Sequence, residues 1–273
     1  MKIFVYLISF LLFFQIIAFS QQSSGGDVVE VPFTFDYDEI ITDVKFRNNT
    51  SLNMALSLQR PSAIDISVPE IQEKSKSAFL YKKGVTDVYT PFSFFSDLSI
   101  GSFKIPILKM YWGIEPITEI KVQQNIRGIL GISFFDNKVI QIDYQRNRLR
   151  LFKNNSYREL FKDNLMNNSK AIVKLNVFIK SPPDETSYVT TEEVFVDGKK
   201  SKVLVSIDSA YSAPEDKKVD FRNVKIGEIE VANAPILKSD SKKYDYILNN
   251  DFLKKFVVTL NFKNNKLRID KRQ

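Results

Sequence analysis

The chain has 273 residues, with 39 lysines and arginines against 32 aspartates and glutamates, and it contains neither histidine nor cysteine. Without His or Cys, Ser-His-Asp and Cys-His catalysis and the usual zinc sites are excluded, so any enzyme chemistry must use carboxylates, Lys, Tyr or an oxygen-ligated metal. The net charge of +7 is spread along the chain. It does not form the dense basic and aromatic stripes of a nucleic-acid surface, and there is no glycine-rich phosphate loop. No cofactor, no metal and no nucleic acid is expected.

The first segment reads as a targeting signal. Met1-Lys2 gives a positive start, Ile3 to Phe19 is apolar apart from Tyr6, Ser9 and Gln15, and Ala18-Phe19-Ser20 offers a cut before Gln21. Residues 1–20 are therefore expected to be a signal peptide. A membrane anchor is the alternative, although the apolar stretch is short for a span. The expected localisation is export to the periplasm, the outer membrane surface or the extracellular space. Without disulfides the mature chain must be held by its core alone, and about 250 residues suffice for that.

Beyond residue 21 the pattern is one of strands. Val31-Phe33-Phe35, Val44-Phe46, Met54-Leu56-Leu58, Val139 to Ile142 and Leu149-Leu151 alternate with period two. Asn48-Asn49, Arg146-Asn147, Asp197-Gly198 and Asn264-Asn265 fall where hairpins must turn, because Asn, Asp and Gly accept positive φ. Helical signal is confined to Tyr157–Met166 and to single turns at Ser133–Lys138 and Asp251–Lys255. The fold class is all-β, with short helices. The Asn-X-Ser/Thr triplets at Asn48, Asn49, Asn154 and Asn167 are read as turns.

A long repeat organises these elements. Residues 129–153 (ILGISFFDNKVIQIDYQRNRLRLFK) align without a gap to residues 247–271 (ILNNDFLKKFVVTLNFKNNKLRIDK) at an offset of 118 (247 − 129). A period this long marks a duplicated lobe. The repeat extends backwards. Asn48 to Gln59 and Asp197 to Asp208 both span 11 residues, so Gln59-Arg60-Pro61 corresponds to Asp208-Ser209-Ala210. Ile100-Gly101 with Pro106-Ile107-Leu108 corresponds to Ile226-Gly227 with Pro235-Ile236-Leu237. The expected organisation is an N-terminal lobe over 21–153, a polar linker over 154–170 and a C-terminal lobe over 171–273.

This order of elements resembles the retropepsin-like and pepsin-like aspartic proteases, in particular the exported two-lobed bacterial forms. Residues 127–151 carry most of the resemblance, through Ile129-Leu130-Gly131 and the strands after it. It implies two duplicated acid-protease-like β-barrel lobes with a cleft between them. It also implies two carboxylates across a pseudo-twofold axis, one activating water while the other, protonated, polarises the peptide carbonyl.

Both family triplets are altered here, in different ways. Lobe two keeps the acid, Asp208, and a hydroxyl, Ser209, but has Ala210 for the family glycine and Asn249 where the supporting Ile-Leu-Gly strand would end. Lobe one keeps Gly131 but has Gln59, Arg60 and Pro61 in place of the acid triplet. Gln59 cannot hold or release the proton. Arg60, if it points inward, would favour an ionised Asp208, and Pro61 fixes φ where an unhindered glycine is usual. Asp65 is a poor substitute acid, because its distance from the turn is 17 residues rather than 11. Asp208 itself has a second reading, as an Asp closing a turn through its own backbone.

Lobe one also has a longer insert. Gln59 to Ile100 spans 41 residues against 18 from Asp208 to Ile226. The extra chain includes 78–95, expected to be a flap hairpin turning at Lys83-Gly84. Tyr81 and Tyr89 either line the cleft or pack the flap base. The expected function is that of a degenerate aspartic-protease-like protein that binds an extended peptide or protein segment in the cleft by strand addition. The alternatives are an active aspartic endopeptidase that joins two copies of Asp208 in a homodimer, and a structural envelope protein.

Overall fold

The structure, a computed structural model, describes residues 27–36, 38–65, 77–83, 86–112, 126–153, 156–161, 170–179, 187–208 and 219–271. In the first half the elements are β1 (Val28–Pro32), β2 (Thr34–Asp36), β3 (Glu39–Lys45), β4 (Ser51–Leu56), β5 (Ala63–Ile64), β6 (Ser77–Lys83), β7 (Thr86–Ile100), β8 (Phe103–Trp112), β9 (Gly128–Leu130), α1 (Ile132–Phe135), β10 (Val139–Asp143) and β11 (Arg148–Phe152). In the second half they are β12 (Lys170–Lys174), β13 (Asn176–Ile179), β14 (Ser187–Val196), β15 (Lys199–Val205), β16 (Val219–Ile226), β17 (Ile229–Lys238), β18 (Tyr246–Leu248), α2 (Asn250–Leu253), β19 (Phe256–Asn261) and β20 (Lys266–Lys271).

The hairpins turn where the sequence supplies residues tolerant of positive φ. Asn49, Asn147, Asp197, Gly198 and Asn265 all have φ between 48° and 77°, a region that costs most residues strain but Asn, Asp and Gly little. The two Ile-Gly marks are equivalent turns: β7 meets β8 at Ile100↔Phe103 and β16 meets β17 at Ile226↔Ile229, with Gly101 and Gly227 at φ 55° and 53°. The single helical turns α1 and α2 start at equivalent places, 118 residues apart, and bury Phe134, Phe135, Phe252 and Leu253. Of the helix expected over Tyr157–Met166, the described part is a 3-10 turn at Arg158–Phe161. It packs through Tyr157 on Val139 and Phe152, while 162–166 lie outside the described residues.

Each lobe closes into a β-barrel. The lobe-one sheet has the order β2-β3-β4-β9-β5-β8-β7-β6 and closes through β3–β7. The lobe-two sheet has the order β13-β14-β15-β18-β17-β16 and closes through β14–β16. A third sheet, β1-β11-β10-β19-β20-β12, joins the lobes. At its centre β10 and β19 pair antiparallel with Gln141 opposite Thr259. These two residues are themselves 118 apart (259 − 141), so they lie on the pseudo-twofold axis. There the Gln141 amide donates to Thr259 Oγ1 at 2.9 Å, both side chains being buried. One apolar core runs from Val29 and Ile40 through Phe134 and Phe252 to Ile269, so it spans both lobes. Burial on this scale is the main stabilising term for a chain without cross-links.

Candidate functional site at the inter-lobe axis

The two loops that face each other across the axis are built alike. In lobe one β4 runs parallel to β9 (Ala55↔Ile129), and in lobe two β15 runs parallel to β18 (Leu204↔Ile247). Past each pair, the Ser57 N–H donates to Leu130 O and the Ser206 N–H to Leu248 O, both at 3.0 Å. The chain then reaches Gln59 on one side and Asp208 on the other, the two positions aligned by the repeat.

Asp208 is fully buried, at 0% exposure. Ser57 Oγ, from the opposite lobe, donates to its Oδ2 at 2.6 Å, a length usual for a hydroxyl on a carboxylate. The direction of that bond is fixed. Ser57 Oγ already receives the backbone N–H of Arg60 at 2.9 Å, the Arg60 Nε–H at 3.2 Å and the Gln59 N–H at 3.3 Å, so its only proton is left for Asp208. Ser206 Oγ lies 3.2 Å from Gln59 Oε1 and 3.5 Å from Asp208 Oδ1. The Gln59 amide reaches across the lobes and donates to Val205 O at 2.8 Å. Ser187, at the start of β14, returns the tie by donating through N–H to Gln59 O at 3.2 Å and through Oγ to Leu58 O at 2.6 Å.

Arg60 does not aim its charge at Asp208. Its Nη2 donates to Glu39 Oε1 at 2.7 Å within lobe one, and the Arg60 side chain is 13% exposed. Its Nε–H also reaches Ser57 Oγ, which in turn donates to Asp208. Pro61 lies in the loop that covers Gly131. A Cβ on Gly131 would come within 2.2 Å of Pro61 C, 2.3 Å of Arg60 O and 2.4 Å of Ser62 N, so this glycine is required by close approach. The Gly131 N–H donates to Ser62 Oγ at 3.0 Å and the Ile132 N–H to Arg60 O at 3.1 Å. Asn249 holds the matching place in lobe two and is buried. Ser209 and Ala210 lie outside the described residues. Asp65 sits at the end of β5, where Arg127 Nε is 3.3 Å from its Oδ2. Tyr81 and Tyr89 occupy neighbouring rungs of the β6–β7 hairpin (Tyr81↔Val88, Leu80↔Tyr89).

Several members of this site were not singled out from the sequence. Ser57 and Ser206 are one pair, and the signal was present: each stands two residues before its key position, in Ser57-Leu58-Gln59 and Ser206-Ile207-Asp208. Tyr144 is another. Its hydroxyl donates to Asn250 Oδ1 at 2.7 Å, and the Asn250 amide donates to Asp38 O at 2.7 Å, stitching lobe two to the start of β3. Burial, with the Asp208 and Asp38 charges adding to it, pushes the Tyr144 phenol well above its ordinary range. A phenol whose folded pKa is raised contributes stability that is complete below the unfolded value of about 10 and is lost as pH rises above it. Tyr144→Phe is therefore expected to cost about 1 kcal/mol at pH 7, from the lost hydrogen bond. Its urea midpoint should fall less than that of the unmodified protein between pH 9 and 11. Parallel slopes over that range would refute the account.

Among the described residues no group of three or more Asp, Glu, His or Cys could hold a metal. Among the described residues the axis offers one carboxylate, two serine hydroxyls and an amide with no acidic proton to exchange.

No family model and no curated protein sequence matches the chain. Solved structures do. Basic 7S globulin from soybean superposes with a TM-score of 0.53 at 8% identity, over 90% of this chain and 95% of that one. The aspartic proteinase from Irpex lacteus gives 0.52 at 10% identity, over 90% and 98%, and edgp gives 0.51 at 10% identity, over 92% and 96%. At such identities the likeness speaks to architecture alone, and it covers both lobes and the sheet between them: the chain has the duplicated, two-barrel aspartic-proteinase-like fold.

Proposed function

We propose that this is a catalytically degenerate protein of the exported, two-lobed retropepsin-like type, which holds an extended peptide or protein segment in the inter-lobe cleft beneath the β6–β7 hairpin. The observation that carries this reading is the pairing of Asp208 with Ser57 while Gln59 stands at the matching position of lobe one. Water activation with carbonyl polarisation needs two carboxyl groups that pass a proton between them. An amide can donate a hydrogen bond to a carbonyl, but it cannot hold or release the proton that such a pair shares. Strand addition needs only backbone groups and side-chain pockets, so it survives the loss of the dyad. Burial of Asp208 between its own lobes argues against an endopeptidase formed by two copies of Asp208 in a homodimer.

The test uses residues 21–273 with a diverse synthetic peptide library from pH 3 to 8, beside two variants. One is Asp208→Asn. The other replaces residues 79–90 with Asn-Gly, joining the register partners Ala78 and Pro91 and sparing the buried Phe95, Leu98 and Ile100. Mass spectrometry is expected to find no new termini that depend on Asp208. Peptides should be retained by the unmodified chain and by Asp208→Asn, and released by the trimmed hairpin. Asp208-dependent cleavage would replace this reading with an active protease. Equal retention by the trimmed variant would refute binding beneath the hairpin, and no retention by any of the three folded proteins would leave a structural envelope protein.

A further inference from the structure

Lobe two has a cavity of about 440 Å³ on its outer face, where β13, β14 and β15 adjoin. Strand alternation puts it there. Tyr188 and Thr190 share one face of β14, with Phe178 on the rung opposite Tyr188 and Leu204 opposite Thr190. Val203 and Val205, on the other face of β15, belong to the barrel core. The volume is that of a small-molecule site.

The lining is polarised. Phe178 and Ile179, at the end of β13, are 53% and 57% exposed, and both adjoin the cavity. Three lysines, Lys202, Lys242 and Lys243, share the lining. Lys243 Nζ lies 4.0 Å over the Tyr188 ring and Lys202 Nζ 5.5 Å from that of Phe178, so both cations rest on aromatic faces at the rim. The acids nearby offset them in part. Glu192 Oε1 is 3.6 Å from Lys202 Nζ, and Asp245 Oδ2 accepts the Lys202 backbone N–H at 2.9 Å. In the wall, Thr190 is 1% exposed and its Oγ1 has no hydrogen-bond partner among the described residues. A buried hydroxyl without a partner is unfavourable, and almost all such groups find one.

We infer that this cavity is a second ligand site, independent of the reading of the inter-lobe cleft, and that it takes a small monocarboxylate with an apolar body of roughly ten carbons. The carboxylate brings a negative charge for the lysines and, where Thr190 meets the cavity, an acceptor for its hydroxyl. The apolar body covers the Phe178 ring on the face that it shares with Tyr188. An alcohol of equal length brings only the apolar part, and a quaternary ammonium brings the wrong charge.

Calorimetric titration of residues 21–273 with decanoate, 1-decanol and decyltrimethylammonium, below their aggregation limits, tests this. Decanoate is expected to bind saturably and at least tenfold more tightly than decanol, and the ammonium not at all. Lys202→Gln with Lys243→Gln should remove the preference for decanoate. Thr190→Val should weaken decanoate at least fivefold while raising the melting temperature of the free protein, a gain that a misfolded variant would not show. Equal binding of decanoate and decanol, unchanged affinity in Thr190→Val, or saturable binding of an acidic peptide with none of decanoate would overturn the assignment.

Discussion

Replacing Gln59 by Asp, which restores a second acid to the axis, is expected to weaken the fold at neutral pH by about 3–5 kcal/mol and to weaken it much less in mild acid. Gln59 is buried, and its amide ties lobe one to Val205 O at 2.8 Å. The shorter carboxylate cannot donate there, so a buried carbonyl loses this donor. It also brings a second negative charge towards Asp208, with which Gln59 shares the Ser206 hydroxyl. Two carboxylates this close hold one proton between them, so one folded-state pKa rises above the unfolded Asp value of about 3.9. For a raised folded pKa, the folded state binds more protons than the unfolded one above pH 4. Stability relative to the unmodified protein must then increase as pH falls. Urea denaturation of both proteins at pH 7 and pH 4.5 measures this. A gap of equal size at both pH values would mean that positions 59 and 208 do not sense each other. The substitution alone is not expected to confer cleavage, because Arg60 stays bound to Glu39 and Pro61 still covers Gly131.

Most of the architecture was legible because it depends on short-range rules. Asn49, Asn147, Asp197 and Asn265 mark turns by their tolerance of positive φ, and the alternation between them fixes which face of each strand is buried. The 118-residue offset carried further, because a repeat whose strands pair antiparallel must place one residue pair on the symmetry axis, and that pair is Gln141 and Thr259. The interior of the site was less legible. The Arg60 guanidinium is held by Glu39, which lies 21 residues earlier on β3, and no local pattern links the two. Ser57 and Ser206 were visible as a recurring Ser-X-Gln and Ser-X-Asp. Their role depends on which lobe each hydroxyl faces, and that is set by the pairing of the loops rather than by spacing. The cavity beside Thr190 was equally hidden, since its lining comes from three strands and the loop before β18.

A methyl group on Gly131 is expected to disturb the site more than any change at the matching residue of lobe two. The two positions have the same backbone, φ −86° and ψ −168° at Gly131 against φ −90° and ψ −173° at Asn249, both in the extended region open to any residue. Dihedral strain therefore cannot explain why one is glycine and the other asparagine. Space can. The three atoms nearest to a Cβ on Gly131 are all backbone, from Arg60, Pro61 and Ser62, at 2.2 to 2.4 Å, and no rotamer change can move them. Gly131→Ala must lift the whole 60–62 loop off β9. That costs about 3 kcal/mol or more and displaces the Arg60 N–H groups that orient Ser57 towards Asp208. Asn249→Gly removes a side chain from a position that already accommodates one. It should cost about 1–2 kcal/mol, from backbone entropy and the lost contacts of a buried side chain. Denaturant midpoints of the two variants compare them directly. A Gly131→Ala protein as stable as Asn249→Gly would show that the loop is not pressed on β9, and the fixed direction of the Ser57–Asp208 bond would lose its structural basis.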